Sequence, residues 1–316
     1  MSMDTNEKGD KHYVAKFGFY PKFVEIKTDC FSVSTLQDYE SVIKHLKDHP
    51  NADNGWIYAG QQETQDLHGI VRKKPYSGRV FSLPKTHTLA LNGDFSREDL
   101  DFVIWCLSFF TGIRLTTTQA GFLDATPTKL GTLVDFCVSG SSEQDAIQLA
   151  LNFLGKQNLH PFECMRIAAV IHALFLSQRP HSMHFEKFQY LYMALDGCFS
   201  IMWDRRDKTK KLQKPTHANR VKWVCEKFEI MPPFWADGEN SIVSTRNENF
   251  HEAIFFGQPL GFSAYGATQS SANHNNILLQ MEALICRFLV AILGVNDENY
   301  ILSGLNSRDI HPLKLR

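Results

Sequence analysis

The seven cysteines, Cys30, Cys106, Cys137, Cys164, Cys198, Cys225 and Cys286, form no Cys-x-x-Cys pair. A thiolate zinc site is therefore disfavoured, and thiols scattered through apolar runs act as small hydrophobes in a reducing compartment. No apolar run reaches the roughly 18 residues of a membrane span; the longest, near Leu284 to Leu293, is broken by Arg287. The phosphate-cradling P-loop, the dinucleotide fingerprint and the Gly-x-Ser-x-Gly elbow are all missing, which disfavours a nucleotide-driven enzyme. A formal net charge of −1 excludes a polycation that coats nucleic acid indiscriminately, so any such contact has to come from a local patch. Met1 to Lys11 is polar and charged, unlike a secretory signal, and reads as a disordered tail of a cytoplasmic protein.

What is present is an ordinary globular composition, 43% hydrophobic and 21% charged over 316 residues, enough for one large domain or two. From His12 the aromatic and β-branched residues alternate loosely. Tyr13–Tyr20, Phe23–Lys27, Gly55–Tyr58, Gly69–Val71, Arg79–Leu83 and Thr86–Leu91 read as strands, with one helix over Leu36–Asp48. Ser96 with Asp99 makes a capping box, and the apolar spacing then gives a helix ending at Gly112. Thr116–Gly131 is a Thr-rich loop or a set of short strands.

Beyond Ser139-Gly140 the texture turns helical. Helices are expected from the Ser142/Asp145 cap to Leu154, from Pro161 to Leu176, and over Ser182–Met202, Thr216–Phe228, Ser241–Phe256 and Asn273–Leu293, the last closed by Gly294. The expected fold class is α+β: a strand-rich N-terminal domain over residues 12–140, sensory or regulatory, followed by an all-α bundle over 141–316.

The chemistry concentrates in Arg246-Asn247-Glu248-Asn249-Phe250-His251. At 100° per residue Asn247 and His251 share a face one turn apart, while Arg246 lies roughly 140° round from His251. An imidazole can take a proton from a ribose 2′-hydroxyl or give one to a leaving 5′-oxygen, and a guanidinium matches phosphate bidentately. Asn247 can fix the imidazole. Spacing alone is weak, since thirteen Arg and thirteen His supply about half of one Arg-x4-His pair by chance. Arg166 and His172, similarly spaced on an apolar helix, read as structural. The polar run inside the Arg246–His251 block sets it apart, because a bundle helix tolerates such residues only on a wet face.

That block resembles the Arg-Asn-x-x-x-His signature of the HEPN superfamily of helical ribonuclease domains. With Phe188–Asp196 on an earlier helix and the long closing helix, it looks like the ApeA-like HEPN group over about Phe185 to Leu293. The resemblance implies a homodimer that joins two motifs and a metal-independent endoribonuclease that cleaves by 2′-hydroxyl attack. No cofactor is implied. Arg246, Asn247 and His251 take the motif positions, and Asp196 stands where such domains often carry an acidic residue. It further implies a toxin or effector in phage defence, with an antitoxin or trigger protein as a further partner. The competing reading is a non-catalytic RNA-binding or protein-interaction module.

Between two core helices, Arg205, Arg206, Lys208, Lys210, Lys211 and Lys214, with Arg220 and Lys222 beyond, form either a positive rim for an RNA backbone or a solvated loop. His181 and His184 read as a surface pair without further metal ligands, and His160 as turn chemistry. Trp223 reads as core; Trp235 stands open between core and base stacking.

Overall fold

The computed structural model describes residues 12–156, 160–209, 211–237, 242–260, 271–306 and 309–316. The expected tail Met1–Lys11, Lys210, and most of the glycine-rich connection after Gly257 lie outside that range. The fold is α+β, with a strand-rich first part and a helical second part, and the chain divides into two compact units between Leu133 and Val134.

The first unit is built on a four-stranded antiparallel sheet in the order His12–Phe17, His87–Asn92, Phe31–Thr35, Ile26–Lys27. His87–Asn92 is central, which suits its almost continuous burial at His87, Leu89, Ala90 and Leu91. Helix α1 (Tyr39–Lys47) follows the third of these strands in the chain, and α2 (Arg97–Thr111) packs beside the strand His12–Phe17. Helix α2 begins at a formed Ser96/Asp99 capping box and stops at Gly112, whose φ of 62° is left-handed. Its Leu100, Val103, Ile104 and Leu107 recur at helical spacing and are fully buried. Smaller antiparallel pairs complete the unit, among them Gln61–Gln65 with Val71–Ser77. Gln61–Gln65 is absent from the sequence expectation because it carries no apolar residue to set a period.

The second unit contains α3 (Glu143–Leu154), α4 (Glu163–Ser177), α5 (His184–Asp204), α6 (Arg220–Lys227), α7 (Val243–Glu252), α8 (Ser271–Leu293) and α9 (Glu298–Ile301). It is not purely helical. Phe136–Val138 pairs in parallel with His311–Leu313, so this strand belongs with the second unit, and Ile254–Phe255 pairs with Gln258–Pro259.

Helix α5 is the hub, touching α4, α6, α7 and α8. Its Gly197 allows the close approach to α4, since a Cβ there would stand 2.6 Å from a methyl of Val170. In α8, the window Asn276–Leu293 has a mean hydropathy of 1.8, long and apolar enough by length and composition to cross a membrane, yet 72% of it is buried. Arg287 in that window is fully buried and donates to Asp135 Oδ2 at 2.6 Å and to the carbonyls of Ala283 and Gly304. Tyr300 donates to the other Asp135 oxygen at 2.5 Å. A buried cation with this many acceptors is a core fixture.

The helix expected over Ser241–Phe256 is shorter than its sequence pattern. It ends at Glu252, where Ala253 turns left-handed at φ 55°. Phe256 and Gly257, at φ 49° and 74°, then make the two-residue turn of the hairpin that follows.

Candidate functional site

Helix α7 buries Ile242, Thr245 and Asn249, one residue per turn, against the body of the unit. Gln189 Nε2 on α5 reaches Asn249 Oδ1 at 3.5 Å, while Asn249 Nδ2 is buried with no acceptor among the described residues. This polar inner stripe fixes which residues look outward. Asn247 and His251 lie one turn apart on the exposed side, with His251 in the last turn. Arg246 is half-buried between the two faces, its guanidinium donating to Asn247 Oδ1 at 2.9 Å and lying 5.0 Å from the Phe250 ring centre.

Asp196 stands on α5 and accepts from Arg220 Nη1 of α6 at 2.6 Å. Beside this pair a shallow concavity between α5, α6 and the start of α7 is lined by Tyr192, Asp196, His217, Arg220, Trp235 and Ile242. Its enclosed volume is about 10 Å³, room for one water-sized group. Burial raises the Tyr192 phenol above its ordinary value and Asp196 adds to that, while Arg246 and Arg220 pull it down. Partial burial lowers the His217 imidazole, helped by the positive charges of Arg220, Arg246 and Lys214 against the opposing Asp196. The neutral imidazole is thus favoured near neutral pH.

So Arg246 and Asp196 act on the same side chains, whereas His251 is on the exposed end of α7. His217, Arg220 and Tyr192 were not legible as a group: Asp196 and Arg220 are 24 residues apart, and only the packing of α6 on α5 joins them.

The basic stretch is split by the fold. Arg205 is turned inward, donating to Glu163 Oε1 at 2.7 Å and to the Ile292 carbonyl at 3.1 Å. Arg206 caps the Trp203 carbonyl at 2.6 Å and stacks 4.0 Å over the Trp203 ring. Lys208 and Lys211 are exposed, and Lys214 lies 5.9 Å from the Phe199 ring centre. Phe199, Trp203 and Trp223 pack with ring centres 5.6 to 5.9 Å apart. Aromatics absent from the linear basic run therefore sit beside it in space. Trp235 is core, 1% exposed, with Nε1 donating to Gln280 at 2.7 Å. Arg166 pairs with Asp204 across α4 and α5, a structural role. No group of three or more His, Cys, Asp or Glu side chains placed to hold a metal occurs among the described residues.

Compared with protein-family models, with curated proteins and with solved structures, the chain matches none.

Proposed function

We propose that the second unit is a metal-independent endoribonuclease of the HEPN type. The observation that supports this reading is the placement of Asn247 and His251 one turn apart on the exposed side of α7, with Arg246 beside them donating to Asn247 Oδ1 at 2.9 Å. In the proposed reaction Arg246 stabilises charge growing on the phosphorus-bound oxygens, and His251 moves the proton of the attacking 2′-hydroxyl or of the leaving 5′-oxygen. Asn247 keeps that imidazole oriented.

One helix spreads Arg246 and His251 roughly 140° apart. The proposal therefore places a second copy of α7 against the first, so that Arg246 of one protomer serves with His251 of its partner. The exposure of Asn247 and His251 fits such a shared cleft. A role as a defence toxin held by an antitoxin or released by a trigger, in the cytoplasm, follows from the family resemblance only.

The second reading, a module that binds RNA without cutting it, draws on Asp196 being already engaged by Arg220. End-group analysis separates the two. Incubation of the full chain with single-stranded RNA in EDTA should yield fragments ending in a 2′,3′-cyclic phosphate. Intact RNA in a retained complex would favour the binding module.

A further inference from the structure

The pocket between α5 and α6 has chemistry of its own, apart from His251. Arg220 and Asp196 line the pocket with His217, and the positive charges of Arg220, Arg246 and Lys214 act on the imidazole against the opposing Asp196. Arg220 has a mostly buried side chain, 14% exposed, held 4.9 Å from the Phe199 ring centre. It gives Nη1 to Asp196, and its Nε is buried with no acceptor among the described residues. A guanidinium fork that binds a carboxylate presents the same geometry to a phosphate. The concavity is shallow and open to solvent, and its enclosed part of about 10 Å³ takes one oxygen of a phosphate whose other oxygens stay at the mouth.

We infer that this pocket binds a single phosphate group, held by Arg220 and His217, with Asp196 acting as the internal group that the phosphate displaces. The inference rests on the proposed nuclease reading only for the source of the phosphate, an RNA backbone. Trp235 and Ile242 form the apolar wall of the pocket. His217 faces Arg220 on its own segment, Asp196 and Tyr192 on α5, Arg246 on α7, and Lys214 on the preceding loop. An anion placed among these groups favours the protonated imidazole, so binding takes up a proton.

The test uses the full chain and a fluorescein-labelled single-stranded RNA octamer, displaced by inorganic phosphate or by adenosine 5′-monophosphate. Asp196→Asn should tighten phosphate binding about tenfold, because the competitor loses its charge. His217→Gln should weaken it several-fold and remove the proton uptake seen by calorimetry in buffers of different ionisation enthalpy. Arg220→Lys keeps the charge, loses the fork, and should weaken binding about tenfold. Near-UV circular dichroism confirms that each variant is folded. Weaker or unchanged binding in folded Asp196→Asn, or failure of inorganic phosphate to compete at all, would overturn the inference. Stronger binding of the octamer than of the mononucleotide identifies the backbone as the source; equal binding identifies a free phosphate ester. Cleavage is scored on the same samples. Phosphate bound as described without RNA cleavage removes the nuclease reading and leaves the pocket. Cleavage together with phosphate binding indifferent to all three substitutions does the reverse.

Discussion

Arg220 Nη1 donates to Asp196 Oδ1 at 2.6 Å, joining two helices whose charged residues are 24 positions apart. The arginine is mostly buried at 14% exposure, whereas the aspartate is 36% exposed. Water screens one side of the pair, so its worth lies between that of a surface and a buried ion pair. Asp196→Ala should lower the unfolding free energy by about 1–2 kcal/mol, seen as a reduced urea midpoint at unchanged slope.

Asp135 and Arg287 form a more deeply held pair. Arg287 is fully buried, and Asp135 also accepts from Tyr300. Asp135→Ala strands a buried guanidinium and a buried phenol, and should cost about 3 kcal/mol in urea denaturation. Replacing both partners, Asp135→Leu with Arg287→Met, should cost less than the single change, because no charge is left unpaired.

Gly197→Ala tests the α4–α5 contact. Alanine gains about 1 kcal/mol of helix propensity over glycine. The new methyl, however, meets Val170 at 2.6 Å, and a β-branched side chain has little freedom to move aside. Overpacking of about 1–3 kcal/mol prevails, so the variant should be less stable by about 1 kcal/mol, measured as a fall in Tm.

Glu282, on α8, has its carboxyl raised to about 7 by burial, with Asp135 adding and Lys187 opposing. A carboxyl whose folded pKa exceeds its unfolded value of roughly 4.3 holds its proton longer in the native state. Stability from this group is full below the unfolded pKa and falls as pH rises through about 7. Glu282→Gln should remove that decline and be more stable than wild type at pH 8 by roughly 2 kcal/mol, with the two converging near pH 4. Denaturation midpoints across this range check it.

Local signals were well expressed in the sequence where the chain itself decides the structure. The capping box Ser96/Asp99 and the stop at Gly112 are formed, and at the start of α3 the Ser142 backbone N–H donates to Asp145 Oδ2. The end of α7 was not legible, because Ala253 and Phe256 adopt left-handed backbone without being glycine or asparagine. The polar strand Gln61–Gln65 gave no period to read. In the candidate site, Arg246, Asn247 and His251 were visible as a run along one helix. His217, Arg220 and Tyr192 were not, since their grouping depends on how α6 and α7 pack on α5. The basic stretch likewise gave no sign that Arg205 turns inward to Glu163 while Arg206 stacks on Trp203 and Lys214 lies near Phe199.

The nuclease proposal is tested most directly by cleavage of single-stranded RNA in EDTA by the wild type, His251→Ala and Arg246→Ala. His251 is exposed and Arg246 half-buried, so neither substitution empties the core. Metal-independent cleavage by the wild type, reduced at least about a hundredfold in both variants, is the predicted result. Undiminished cleavage by both folded variants would contradict it.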